Sequence, residues 1–280
     1  MFKSGLLGLP LALALLASSA YAQAPARDWT TWGYDQQRTG WNQGETTLSK
    51  ANVSKLKLLW TSQLAITPNN EALSSLTAPL VVEGVDVGGA KKDLLFLLSA
   101  DDSLFALDAE SGKPVWQKTF PNPAKAQHPA DTSCANTAQD TPVIDKTKGL
   151  IFFIASDGKL RAAHLSDGSE AMRPTPMLAA FARAWSLNLI DDVIYTPSGR
   201  GCGNLDPNSS MAKAAVSEPF KPGGDAVLLE PSSINAMDGH VRVHPVLTRF
   251  YTSGGRPNGA WGRGGVVSAD RGIIGQTADG

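Results

Sequence analysis

Ser99-Ala100-Asp101-Asp102-Ser103-Leu104-Phe105-Ala106-Leu107-Asp108-Ala109-Glu110-Ser111-Gly112-Lys113-Pro114-Val115-Trp116 is the stretch on which the reading of this chain turns. Polar Asp101-Asp102-Ser103 closes the apolar run Leu94 to Leu98 and opens a second run, Leu104 to Leu107. Ala109-Glu110-Ser111-Gly112 then turns the chain into Pro114-Val115-Trp116. Short apolar runs bounded by such clusters predict strand, tight turn, strand, tight turn, strand. Gly112 falls where a hairpin needs positive φ, a conformation that a side chain penalises.

The pattern returns at Ala155-Ser156-Asp157-Gly158-Lys159-Leu160-Arg161-Ala162-Ala163-His164-Leu165-Ser166-Asp167-Gly168. Asp101 to Asp157, Gly112 to Gly168 and Trp60 to Trp116 are each 56 residues apart. A third, degraded copy ends at Ile234-Asn235-Ala236-Met237-Asp238-Gly239, and Thr277-Ala278-Asp279-Gly280 opens a fourth. Such self-similarity decides architecture. Here it predicts an all-β chain, a β-propeller of four-stranded antiparallel blades at roughly 76–120, 139–176, 183–247 and 259–280, with an insertion over 198–231. A closed propeller has 4–8 blades; about three and a half predict an incomplete ring, the N-terminal part of a longer or truncated product. Missing blades or a second chain would close it, and open edges favour association.

Ala106 to Trp116 resembles the blade motif of the pyrroloquinoline-quinone (PQQ) dehydrogenase-like propellers, in which a Trp of one blade's outer strand docks onto the next blade. Asp28-Trp29-Thr30-Thr31-Trp32-Gly33-Tyr34-Asp35, with Leu48, Asn52-Val53, Leu56-Lys57 and Trp60, resembles the lead-in to their first blade. Trp60 and Trp116 are then the docking residues, and Lys57-Leu58-Leu59-Trp60-Thr61 is expected to be an outer strand of a blade completed elsewhere. The resemblance runs from about Asp28 to the end of the chain. It speaks for fold more than for activity.

Lys3, the apolar Leu6 to Ala17 and the small-x-small Ala20-Tyr21-Ala22 predict a signal peptide over residues 1–22 and a periplasmic or secreted protein from Gln23 onward. The run is too short to span a bilayer and contains Pro10. A net charge of −1, with 42% hydrophobic residues, 27 Gly and 18 Pro, suits a globular β protein and gives no electrostatic case for nucleic acid or an anionic membrane. The unbroken runs Leu94 to Leu98 and Leu150 to Ile154 suit strands buried on both faces.

Two cysteines in an exported chain permit one disulfide. Cys134 and Cys202 lie in loops expected on one face of the propeller, so a Cys134–Cys202 bridge is favoured; the alternative is two partly buried thiols.

The resemblance implies PQQ and Ca²⁺, but the residues do not support them. The cofactor-contacting Glu of alcohol and methanol dehydrogenases, aligned on Pro79, becomes Leu76. Their adjacent Cys pair becomes Cys134-Ala135, and an Arg falls on or near Asp140. Glu71, Asn136 and Asp140 lie on the expected cofactor face, with loop solvation as their simpler role. His240 and His244 would sit about 13 Å apart on a strand at ~3.3 Å per residue, too far to share a metal. His128 is in a loop and His164 in a strand. Gly199-Arg200-Gly201-Cys202-Gly203 and Gly262-Arg263-Gly264-Gly265 precede no helix and read as turns, as does Asn204-Leu205-Asp206-Pro207-Asn208.

Two functions follow from the resemblance. One is a periplasmic oxidoreductase of alcohols or sugars with a divergent cofactor site. The other is a propeller without PQQ that binds or assembles a protein partner.

Overall fold

The computed structural model describes residues 28–68, 75–132, 134–138, 140–199, 202–204, 217–218, 227–228, 233–239, 247–251, 262–270 and 272–276. The signal-like residues 1–22, Glu71, His240, His244, Trp261 and most of the 198–231 insertion lie outside them. Apart from one 3-10 turn, Val53–Lys55, the regular structure is strand.

The first sheet pairs β1 (Leu80–Val87), β2 (Ala90–Leu98), β3 (Ser103–Asp108) and β4 (Pro114–Thr119) in that order. The second pairs β5 (Val143–Asp145), β6 (Leu150–Ile154), β7 (Lys159–His164) and β8 (Thr175–Pro176). The third contains β9 (Arg183–Ala184), β10 (Asn188–Ile190), β11 (Val193–Gly199), β14 (Ser233–Asp238) and β15 (Leu247–Tyr251), with β9 pairing the far end of β11. Two small hairpins remain, β12 (Ser217–Glu218) with β13 (Val227–Leu228), and β16 (Val267–Ala269) with β17 (Gly272–Ile274). Every named pairing is antiparallel and joins neighbours in sequence, except that β9 pairs β11 and that the insertion separates β11 from β14. This is an incomplete β-propeller.

Packing follows the residue pattern. One face of the first sheet, with Leu80, Leu94, Phe96, Leu98 and Leu104, packs on Ile151, Phe153 and Ala163 of the second. The second sheet's other face, with Leu150, Phe152, Ile154 and Leu160, packs on Leu187, Ile194 and Met237 of the third. All five residues of β6 are therefore buried, as an unbroken apolar strand between two sheets requires. In β2 only alternate residues are fully buried, and Leu95 and Leu97 stay half-buried on the sheet's outer face.

Two Trp–Gly contacts lock the sheets in order. Trp116, on the outermost strand β4, donates its indole N–H to Leu165 O at 2.9 Å. Its ring lies where a Cβ on Gly168 would fall, 2.7 Å away. Trp60 repeats this on the first sheet, donating to Ala109 O at 3.1 Å and covering Gly112. Both glycines have φ +69.

Residues 57–61 correct the sequence reading. They form no strand, and Leu58 and Leu59 are exposed, because among the described residues no strand lies beside them to pair with. A β pattern needs a partner's backbone to become a ladder.

The lead-in crosses the innermost strands of successive sheets. Trp29 exchanges backbone hydrogen bonds with Val81, and Thr30 O accepts from Ile144 N at 2.8 Å. Arg38 donates to Trp32 O at 2.6 Å, to Leu187 O at 2.8 Å and to Thr31 Oγ1. Gln36 reaches Leu189 O at 2.7 Å, and its own carbonyl accepts from Asn188 and Ser268. Trp32 covers Gly264 beside the β16–β17 hairpin.

Candidate functional site: the loop face of the first three sheets

The β2–β3 and β6–β7 turns, the β4–β5 loop and the segments after β8 and β11 all leave the sheets at the same ends of their strands. This face gathers the polar residues singled out in the sequence. Cys134 and Cys202 are joined in a disulfide with Cα atoms 5.4 Å apart, across 68 residues of sequence. Asn204 makes a second tie, donating to Lys125 O at 2.7 Å and accepting from Gln127 N at 2.8 Å. Arg183 donates to Thr132 O at 3.3 Å while its guanidinium lies 4.9 Å from the centre of the Trp185 ring. The β4–β5 loop is thus fastened to the third sheet.

Asn136, at φ +55, donates to His128 O at 2.9 Å and so closes its own loop. Asp140 is buried, and its carboxylate accepts from Ile154 N at 3.2 Å at the end of β6. These two expected cofactor residues bond the chain's own backbone; Glu71, the third, lies outside the described residues. Leu76 sits in an isolated bridge to Ser99.

Asp102 was legible only as a turn residue, yet it is the most perturbed acid of the face. It has φ +63 and is 5% exposed. Its carboxylate accepts from Ser156 N at 2.7 Å and from Ser156 Oγ. Burial pushes this carboxyl up to about 6, against the lowering effect of the Ser156 hydrogen bonds. Asn122 also donates to Ser156 Oγ, at 3.1 Å. Next to Ser156, burial would raise Asp157, but the two-pronged Arg161 contact at 2.7 and 2.8 Å, with the Lys159 N–H, holds it below the usual carboxylate range. Asp102 and Asn122 clasp the second sheet through Ser156, while the Asp157–Arg161 pair lies within that sheet.

Among the described residues, one cavity of about 330 Å³ opens on the outer face of the first sheet. Another of about 340 Å³ lies between the first two sheets at the opposite end, among Glu83, Asp86, Lys91, Lys146, Lys148 and His164. Lys91, Lys146 and Lys148 are already paired with Asp86, Asp28 and Asp145.

A repeated four-stranded sheet, docked on the next by Trp on Gly, defines the class as a β-propeller. The chain belongs to the PQQ family: the profile of the glucose/ethanol/alcohol dehydrogenase β-propeller domain matches residues 29–173. Comparison with curated proteins gave no match. Among solved structures, BamB from Moraxella catarrhalis is similar at 12% identity over 72% of this chain and 50% of its own (TM-score 0.39). A europium-containing methanol dehydrogenase is similar at 16% identity over 80% and 32% (TM-score 0.48). Quinohemoprotein alcohol dehydrogenase from Comamonas testosteroni is similar at 17% identity over 92% and 46% (TM-score 0.47). The chain spans half or less of the length of each.

The groups present on the loop face do not fit a quinone with its Ca²⁺. Asp140 and Asn136 bond to backbone, and Leu76 offers no oxygen to a cation. Among the described residues no three His, Cys, Asp or Glu side chains come together as a metal site.

Proposed function

We propose that residues 23–280 are part of an exported propeller that works as a binding or assembly scaffold, after removal of a 1–22 leader. The observation that carries this reading is the use of the loop face's polar groups for internal ties, Asp140 on Ile154 N above all. The Cys134–Cys202 disulfide and the signal-like N-terminus support export. No helix among the described residues is long and apolar enough to cross a membrane.

A second reading, an oxidoreductase of alcohols or sugars with an altered cofactor site, is favoured by the family match itself. Reconstitution with PQQ and Ca²⁺, followed by dye reduction over a panel of alcohols and sugars, separates the two. The scaffold reading expects no reduction above a no-protein control. Substrate-dependent reduction would replace it with the second.

A further inference from the structure

Residues 28–38 lie on the sheets rather than inside them. Among them only Thr31 is buried; Trp29, Trp32 and Arg38 are half-buried and Gln36 is exposed. The two apolar clusters close without this segment, taking from it only Trp29, at a margin.

Hydrogen bonds to backbone hold the segment instead. Trp29 donates to Val81 O at 2.7 Å and accepts from Val81 N at 3.0 Å, an antiparallel bridge on β1. Thr30 O accepts from Ile144 N of β5. Thr31 and Arg38 both donate to Leu187 O beside β10, and Gln36 donates to Leu189 O within it. β1, β5 and β10 are edge strands of three successive sheets, and a sheet edge presents unpaired N–H and C=O groups to any extended chain. Two side chains add selectivity. Trp32 fills the space at Gly264, where a Cβ would lie 2.8 Å from the ring, and six residues on Arg38 forks onto Trp32 O and Leu187 O. Beyond the segment the chain folds on itself, with Glu45 N–H on Asn42 O, Asn52 Nδ2 on Thr47 O and Val53 N–H on Ser49 O. Trp41, Leu48 and Leu56 there are exposed. The next side chain fixed on a sheet is Trp60, on Gly112.

We propose that the edges of β1, β5 and β10 form one binding site for an extended peptide, which the chain fills with its own residues 28–38 as an exchangeable strap. The mode is strand addition, with backbone bonds supplying affinity and the Trp32 and Arg38 contacts supplying selectivity. The inference stands whether the propeller is a scaffold or a catalyst.

The test inserts a site-specific protease sequence after Leu56, which is 62% exposed. Cutting there severs the strap from the sheets while Trp60 stays in place. The expected result is that the N-terminal piece still travels with the remainder on size-exclusion chromatography. Excess synthetic peptide spanning residues 28–40 then displaces it, and the near-ultraviolet circular dichroism of the remainder is unchanged. The same peptide with Arg38→Ala should compete on the order of tenfold less well, having lost the fork. Separation of the piece on cutting overturns the proposal, as does equal potency of the two peptides. Retention against any excess of peptide, or loss of the dichroism signal on displacement, also overturns it, by making residues 28–38 an integral part of the core.

Discussion

The Trp116 ring rests directly on Gly168, and its indole N–H bonds to Leu165 O at 2.9 Å, so one side chain sets the spacing of two sheets. Gly168→Ala meets two costs at once: a left-handed backbone for a residue with a Cβ, and a Cβ 2.7 Å from the ring. Together these should destabilise by roughly 3 kcal/mol. Trp116→Phe keeps part of the packing but loses the donor, and should cost about 1–2 kcal/mol. Denaturant unfolding of both variants checks the order.

Asp102 makes stability fall as pH rises through the mildly acidic range. Its carboxyl ionises near 6 in the folded chain and near 3.8 when unfolded. Between those values the folded state holds the proton that the unfolded state has released, so the unfolding free energy drops as pH rises and levels off above 6. Asp102→Asn keeps an acceptor for Ser156 N and tolerates φ +63. The variant should gain on the order of 2 kcal/mol at pH 8 relative to pH 4 and flatten the profile. Urea midpoints at four pH values between 4 and 8 read this directly.

How far the sequence carried the account varies with the range of the interaction. The Trp60–Trp116 spacing and the turn glycines were legible because each is a local signal repeated at a fixed interval. The strand expected at 57–61 was not, since its pattern is right but a strand exists only beside another backbone. Asp102 reads in the sequence only as part of a polar turn. Its burial depends on Ser156, 54 residues away in the next sheet, and no local rule brings them together. Likewise no local signal marks Arg38 and Gln36, although they tie the lead-in to the third sheet.

The disulfide closes 68 residues of chain. On the chain-entropy model its removal costs about 4 kcal/mol. Cys134→Ser/Cys202→Ser should lower the melting temperature by on the order of 10 °C. Limited proteolysis should then cut first in the 121–132 loop, which the Asn204 and Arg183 hydrogen bonds cannot hold without it.

Arg38 binds one side chain and two carbonyls from a single planar group. Arg38→Ala should destabilise by about 2 kcal/mol, and Arg38→Lys should recover little, because one ammonium cannot reproduce the fork. Amide exchange at Leu187 and Ser268 should speed up in both variants.

Calorimetric titration of the full chain with PQQ in millimolar Ca²⁺ reads directly whether the loop face holds a quinone. No saturable heat is expected, because Asp140 and Asn136 of the loop face bond to the protein's own backbone. Saturable one-to-one binding, weakened by Asp140→Ala or Asn136→Ala, would contradict it.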